Sequence, residues 1–220
     1  IKITNKSNSV KTLEVTGYTE VVIAPQAADE AHPAFSNLFV QTKISEDSKA
    51  ILCTRRARSK NEQPPWMFFM MNVTGVEQEE ISFESDRMRF IGRTRSLTSP
   101  LSVVNNGPMS GTDGSVLDPV AAIKYKITLK PRQTATFEIV TGITETQDSC
   151  QHLIEKYDDM YLKNRAFELS WTHSQVLLRQ INASEADIWP LQNEMNVTLE
   201  RLTKLKIARN QLGPSSQYFS

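Results

Sequence analysis

Acidic residues occur in this sequence at spacings that would suit hydrolysis of a glycosidic bond. Asp113 and Asp118 share a glycine-containing segment, and Glu84 and Asp86 are two residues apart in a strand-like segment. Glycoside hydrolysis needs two carboxyl groups roughly 5–10 Å apart, and residues i and i+2 of a strand lie about 6–7 Å apart on one face. Turns and exposed strands use the same spacing without catalysis. A small hydrolase is therefore one hypothesis among several.

A second group of residues has the chemistry of sugar contact. Trp66 follows two prolines, which hold the chain extended and can present the indole ring from a stiff loop. Arg55 and Arg58 lie just upstream, and Arg93 and Arg95 follow another strand-like segment. An aromatic platform with charged side chains suits the apolar faces and hydroxyl edges of a pyranose ring. The alternative is that Trp66 packs beneath its own loop and the arginines are solvated.

Composition and spacing argue against several other classes of protein. Lys plus Arg and Asp plus Glu both count 25, so the basic excess typical of nucleic-acid binding is missing. The histidines His32, His152 and His173 lack zinc-site spacing, and no nucleotide fingerprint occurs, so we predict neither metal nor cofactor. No apolar run approaches the ~18 residues of a membrane span, and we expect no membrane contact by this chain. Cys53 and Cys150 are predicted to be reduced thiols.

The hydrophobic pattern changes near Thr144, from strand-like alternation to helical spacing. In residues 122–130, four apolar side chains alternate with Lys and Thr, which predicts a strand with one buried and one wet face. Residues 134–141 return as its hairpin partner. The fold class is therefore mainly β, an antiparallel β-sandwich over residues 1–144. An α-helical linker follows over residues 145–220, and Thr146 is expected to cap its first helix.

Further strands are predicted between turn-forming clusters of Pro, Gly, Asn and Asp. The almost continuously apolar segment 67–73 should lie centrally with both faces covered. The remaining predicted strands are residues 1–4, 12–16, 20–24, 38–42, 50–55, 81–85 and 87–91.

Several stretches occur together in the order shown by one family of carbohydrate-active enzymes. They include residues 14–22 (EVTGYTEVV), 31–39 (AHPAFSNLF), 55–58 with 64–66 (RRAR, PPW) and 110–119 (SGTDGSVLDP). Asp86, Arg87, Phe90, Arg93 and Pro100 fit a pattern shared more widely in that family. The chain resembles glycoside hydrolase family 94 over about residues 10–212, in the branch of cyclic β-1,2-glucan synthases and 1,2-β-oligoglucan phosphorylases. Gly17 stands where that pattern has Ser.

The resemblance implies a supersandwich domain of the galactose-mutarotase-like type, a helical linker and then an (α/α)6 barrel. The barrel of such an enzyme carries the catalytic acid and the phosphate site. We expect it to lie outside this chain, which should be inactive alone. The expected partners are that barrel, a β-glucan oligosaccharide bound through the parent enzyme, and a second copy in a homodimer.

In this family the sandwich domain borders the active-site entrance and helps form the dimer, so Asp113 and Asp118 are expected in an interface loop. The expected location is cytoplasmic, with attachment of the parent to the inner membrane if it is a synthase. Two alternatives remain open: a free-standing carbohydrate-binding module with Trp66 at its site, and the small hydrolase with a carboxylate pair.

Overall fold

The computed structural model describes residues 1–57, 59–184 and 186 of the 220-residue chain. One compact unit comprises Ile1–Met160, and a second begins at Tyr161. The strands are β1 Lys2–Thr4, β2 Lys11–Glu20, β3 Val40–Ser45, β4 Ala50–Arg55, β5 Trp66–Thr74, β6 Glu77–Asp86, β7 Pro119–Leu129 and β8 Thr134–Thr144. The helices are α1 Gln26–Ala31, α2 Pro33–Asn37, α3 Arg87–Ile91, α4 Leu101–Val104, α5 Gln147–Asp158 and α6 Met160–Gln180.

The strands form two antiparallel sheets. One has five strands in the order β1-β8-β5-β4-β3, and the other has three in the order β2-β7-β6. The longest ladder joins β2 to β7, from Lys11 opposite Leu129 to Glu20 opposite Val120. Apolar side chains of the two sheets meet in one shared core. The predicted antiparallel β-sandwich is therefore confirmed.

Alternating residues of β7 supply the centre of this core. Ile123, Tyr125, Ile127 and Leu129 are fully buried, as their period of two predicts. The Tyr125 hydroxyl donates a hydrogen bond to the Met71 carbonyl at 2.6 Å. Burial, with a smaller contribution from Asp158, raises the pKa of Tyr125 well above its usual value. The phenol thus stays protonated and joins the two sheets through a polar contact inside the core.

Strand β5 is covered on both faces, as its continuous apolar run predicts. Phe69 and Met71 face the other sheet, while Phe68 and Met70 pack with α5 on the opposite side. The Thr146 hydroxyl accepts a hydrogen bond from the Ser149 amide at 3.1 Å, which confirms the predicted cap of this helix. Helix α5 belongs to the same compact unit as the sandwich.

Two predicted strands are wrong. Residues 87–91 form α3, because the Asp86 side chain accepts from the Met88 amide at 2.8 Å and caps a helix. Residues 21–24 lie outside any strand, since the β2 ladder ends at Glu20. Its partner β7 begins at Pro119, which has no N–H to donate. The Val21 amide still donates to the Pro119 carbonyl at 3.4 Å, and the pairing ends there.

The outer face of β7 is exposed to water along only part of its length. Phe90 and Ile91 of α3, with Met109, pack on Val120 and Ala122 and cover this end of the strand. The next outward residue, Lys124, is only 4% exposed. The predicted wet face is therefore wrong at this position, because elements distant in sequence fold over it.

The second unit begins with the exposed helix α6. Its large apolar residues include Phe167, which is 78% exposed, Trp171, which is also exposed, and Leu178, which is buried. Ile181 follows the last residue of the helix and is exposed as well. Helical spacing predicts that such residues form one stripe.

Within the part of the chain that the structure describes, no helix has the length and hydropathy needed to cross a membrane.

Both cysteines should resist thiol reagents in the folded protein. Cys53 and Cys150 are free thiols with almost no exposed surface. Burial, and secondarily the neighbouring Cys150, raises the pKa of Cys53 to about 12, and burial also raises the pKa of Cys150. Because the thiolate is the reactive form, we expect no labelling by a chromogenic disulfide at pH 8 until urea unfolds the chain. Rapid labelling of either cysteine in the folded state would contradict this expectation.

Candidate functional site

An open groove lies beside α3 and is the candidate site. It has a volume of about 620 Å³ and is walled by α3, by the segment after it and by the end of the β6–β7 connection. Arg87, Arg93 and Arg95 line it together with Asp86 and Asp118. Of the predicted site residues, the structure thus brings Arg93, Arg95 and Asp118 to one place. Arg87 joins them, although the sequence pattern predicts a strand over residues 87–91.

Arg87 is held at the base of the groove by two carboxylates. Its Nε lies 3.3 Å from a carboxylate oxygen of Glu20, and its Nη1 lies 3.5 Å from one of Asp118. The Asn37 side-chain amide also donates to Asp118 at 3.1 Å. Two ends of the fold, β2 and the start of β7, are therefore tied to α3 through a single guanidinium.

Tyr18 also belongs to this network, because its hydroxyl interacts with Arg87 as well as with Glu20. Its ring stacks on Phe90 with centroids 4.7 Å apart, and its hydroxyl donates to Glu20 at 3.3 Å. Burial is the main cause that raises the pKa of Tyr18. Burial alone would lower the pKa of Arg87, but the hydrogen bond with Tyr18 and the charge of Asp118 raise it overall. Arg87 therefore keeps a permanent charge.

The rim of the groove is both cationic and apolar. Arg93 and Arg95 are exposed, and the Arg93 guanidinium makes no hydrogen bond or ion pair with any described residue. Leu117 is 77% exposed beside them, and Met88 is 67% exposed. Arginine and methionine are enriched at protein interfaces, whereas the described lining contains no aromatic ring for stacking on a sugar.

The glycine-containing loop between α4 and β7 bridges the edges of the two sheets. Its Gly111 amide donates to the Phe83 carbonyl of edge strand β6 at 3.0 Å. Gly114 exchanges two backbone hydrogen bonds with Thr42 of edge strand β3, each 2.8 Å long. Both glycines have positive φ, 67° and 92°, which favours glycine at these two turns. The loop thus satisfies edge groups that would otherwise be open to pairing with other chains.

Glu84 anchors this loop from inside the fold. It is 1% exposed, and one carboxylate oxygen accepts from the Ser85 and Asp86 amides at 3.0 and 2.9 Å. The other oxygen accepts from the hydroxyls of Ser110 and Thr112. A ladder irregularity between Glu84 and Asp86 breaks the simple two-residue alternation that would place both side chains on one face.

The other candidate carboxylates also bind groups of the chain itself. Asp113 accepts from the Ile44 amide at 3.2 Å, Asp86 caps α3, and Asp118 pairs with Arg87 and Asn37. Across the described residues, no three His, Cys, Asp or Glu side chains are grouped to hold a metal ion. Each candidate carboxylate is therefore hydrogen-bonded or ion-paired to another group of the fold.

Trp66 and Arg55 lie on opposite faces of the five-stranded sheet. Trp66 is directly opposite Thr54 on β4, and consecutive residues of a strand point to opposite faces. The half-buried indole of Trp66 packs toward α5. Arg55 lies on the other face of the sheet, the one that faces the core, and is buried. The structure therefore does not bring Trp66 together with Arg55, Arg93 or Arg95 in one site. Arg58 lies outside the described residues.

Sequence reasoning missed two residues that organise this region. The predicted strand 87–91 includes Arg87, although an acidic residue before it and Gly92 after it are helix-boundary signals. Alternation along the strand predicts that Lys124 faces water, but its Nζ donates to the carbonyls of Ser102 and Gly107 and pairs with Glu14. Nothing local marks Lys124 as buried, because its partners come from distant segments.

Two antiparallel sheets with a shared core make this chain a β-sandwich domain. The chain belongs to the family described as "Glycosyl hydrolase 94, supersandwich domain", whose model matches residues 1–160. This confirms the resemblance found in the sequence. The matched region coincides with the compact unit that ends at Met160.

One curated relative is the cyclic beta-(1,2)-glucan synthase NdvB of Rhizobium meliloti (strain 1021). It is 26% identical over 183 residues, which is 83% of this chain. The match covers 6% of the relative's length, so this chain corresponds to a small part of that protein.

Proposed function

We propose that this chain is a non-catalytic domain of a β-1,2-glucan-active enzyme, either a phosphorylase or a cyclic glucan synthase. In that enzyme it supports the catalytic domain, contributes to a homodimer and shapes the entrance for the glucan. The observation that carries the proposal is the use of Glu84, Asp86, Asp113 and Asp118 as structural acceptors. Membership of the supersandwich family and the similarity to a glucan synthase give the enzyme class.

The proposal assigns the groove beside α3 to contact with the catalytic domain. Leu117 and Met88 expose apolar surface next to the free guanidinium of Arg93. Such side chains gain most when a partner removes them from water. The base of the groove is preorganised, because Arg87 is already fixed by Glu20 and Asp118. The proposal also keeps the cytoplasmic location expected for the parent enzyme.

Binding to a catalytic barrel of family 94, expressed as a separate chain, tests this assignment. The wild-type domain should bind it, and Leu117→Asp should weaken binding at least ~10-fold, because a charged side chain replaces apolar surface that the contact would bury. Val10→Asp is the matched control, because Val10 is also an exposed apolar residue but lies outside the groove. Equal affinity of both variants, or no binding by the wild-type domain, would contradict the proposal.

The two alternatives make different predictions for the chain by itself. A carbohydrate-binding module would give saturable heat with β-1,2-glucooligosaccharides but not with cellooligosaccharides, and Trp66→Ala would abolish it. A small hydrolase would release sugar from the same oligosaccharides, and Asp113→Asn or Asp118→Asn would stop release. The proposed scaffolding domain should do neither, and glucan turnover by the folded chain would overturn it.

A further inference from the structure

The groove beside α3 is rimmed by cations, and its charges restrict which partner surface can fit it. Three arginines and two aspartates line it: Arg87, Arg93, Arg95, Asp86 and Asp118. Two further charges touch this set, since Arg87 also pairs with Glu20 and Asp86 lies near Arg89. Among the described residues, four arginines thus face three carboxylates, which leaves one net positive charge. Electrostatic complementarity then favours a partner that brings negative charge.

The uncompensated charge lies on Arg93 and Arg95, in the turn that follows α3. Both residues are exposed, and neither forms an ion pair with a carboxylate in the described part of the chain. Arg95 Nη1 donates to the Ser99 carbonyl at 3.3 Å, which orients this guanidinium and leaves its charge in place. A carboxylate can bind an accessible guanidinium through two parallel hydrogen bonds. The rim therefore offers two positions for acidic side chains.

The turn that carries these two arginines has a strained backbone. Thr94, which lies between them, has a φ of 64°, in the left-handed region that β-branched residues rarely adopt. The Arg95 amide donates to the Gly92 carbonyl at 3.4 Å and closes the turn. Backbone strain of this kind clusters at functional sites. The strain at Thr94 is a second reason, besides charge, to place a contact at this turn.

Apolar side chains beside the arginines determine the rest of the contact. Leu117 is 77% exposed, Met88 67% and Leu97 44%, and all three line the groove. A small inorganic anion would leave these side chains in water. A polypeptide segment with both acidic and apolar residues covers them while it neutralises Arg93. The composition of the groove therefore favours a polypeptide partner over a small anion.

Resting on the proposed contact of this groove with the catalytic domain, we propose that the partner surface there is an acidic segment with apolar neighbours. One carboxylate of that segment pairs with Arg93 and another faces Arg95. Its apolar side chains cover Leu117 and Met88. A rim charge mainly affects the association rate and its salt dependence, whereas apolar contacts mainly affect the dissociation rate. Binding kinetics therefore separate the two parts of the contact.

Biolayer interferometry of this chain with a separately expressed family 94 barrel tests the proposal. Raising the NaCl concentration from about 50 mM to about 500 mM should lower the association rate constant at least ~5-fold. Arg93→Glu should lower it at least ~10-fold at the low salt concentration, and Arg93→Gln should lower it by less. Lys11→Glu is the matched control, because Lys11 is exposed, lies outside the groove and undergoes the same change of charge. Its effect should be less than ~3-fold.

Arg93→Lys identifies the partner group directly. The substitution keeps the positive charge and supplies an amine, which a carbodiimide couples to an adjacent carboxylate without a spacer. Mass spectrometry of the digested complex should then find position 93 joined to an Asp or Glu of the barrel. The wild-type chain, with arginine at this position, should give no such cross-link.

Failure of the acidic contact can be distinguished from failure of the scaffolding role. If the barrel binds and Leu117→Asp weakens the complex, but neither salt nor Arg93→Glu alters the association rate, the groove contacts the catalytic domain and the acidic partner is wrong. No binding of the barrel to the wild-type chain would overturn both proposals. If the chain alone self-associates and Arg93→Glu abolishes this, the partner is a second copy, and the acidic segment of the catalytic domain is again wrong.

Discussion

Replacing Glu84 by leucine should lower the free energy of unfolding by about 3 kcal/mol. The substitution keeps a similar volume but leaves the partly buried Asp86 amide without its acceptor. The buried Ser85 amide keeps only its bond to the Thr112 carbonyl at 3.1 Å. It also removes the acceptor for the Ser110 hydroxyl, which holds the glycine-containing loop. Urea denaturation followed by circular dichroism measures the loss directly, since the midpoint should fall at unchanged slope.

Glutamine at the same position should cost only about 1 kcal/mol. Its carbonyl oxygen can still accept from the two backbone amides, and the hydroxyls of Ser110 and Thr112 can turn to accept from its NH2 group. The control is Glu77→Gln, because Glu77 is an exposed glutamate on the same strand, and its substitution should change stability by less than about 0.5 kcal/mol. Equal effects of leucine and glutamine at Glu84 would show that the hydrogen bonds are not the reason for its burial.

The loop should respond to this substitution before the sandwich does. Gly111 and Gly114 donate their amides to Phe83 and Thr42 across the two sheet edges, so their hydrogen exchange reports on loop attachment. In Glu84→Leu these two amides should exchange faster, while the amides of β7 in the core should remain the more strongly protected ones. Exposure of the edges of β3 and β6 would then favour self-association, which light scattering detects.

Local patterns predicted the elements whose neighbours lie close in sequence. The run 50–55 forms β4 with the predicted bounds, and β7 buries the four alternating residues that mark its inner face. Thr146 starts α5 as its side chain predicts. In each case one property of the segment, such as periodicity or a capping side chain, decides its structure.

The residues that organise the candidate site were harder to predict, because their partners are far along the chain. Glu84 meets Ser110, Arg87 meets Glu20, and Arg55 meets Ile23, and no local pattern contains both members of any of these pairs. A charged residue in a strand is normally assigned to solvent. Here several charged residues are covered by loops and short helices whose positions only the complete fold determines.

Lys124 provides the second large effect, and Lys124→Met should destabilise the fold by about 2 kcal/mol. Its Nζ donates to the Ser102 carbonyl at 2.9 Å and to the Gly107 carbonyl, and it lies 3.2 Å from a carboxylate oxygen of Glu14. Methionine fills the space but leaves three oxygen acceptors without a donor. The loss is less than for a fully buried pair, because 22% of the Glu14 side chain remains exposed to water.

The neighbouring Lys126 gives a matched control on the same face of β7. It is 41% exposed and lies 3.6 Å from Glu79, so Lys126→Met should cost less than about 0.5 kcal/mol. Adding Glu14→Gln to Lys124→Met should recover part of the loss, because removing both charges avoids leaving a carboxylate unpaired. Lys124 holds the start of the glycine-containing loop and Glu84 holds its middle. If both substitutions proved as mild as Lys126→Met, the loop would owe its position to backbone pairing alone, and buried charge would have no part in closing the sandwich.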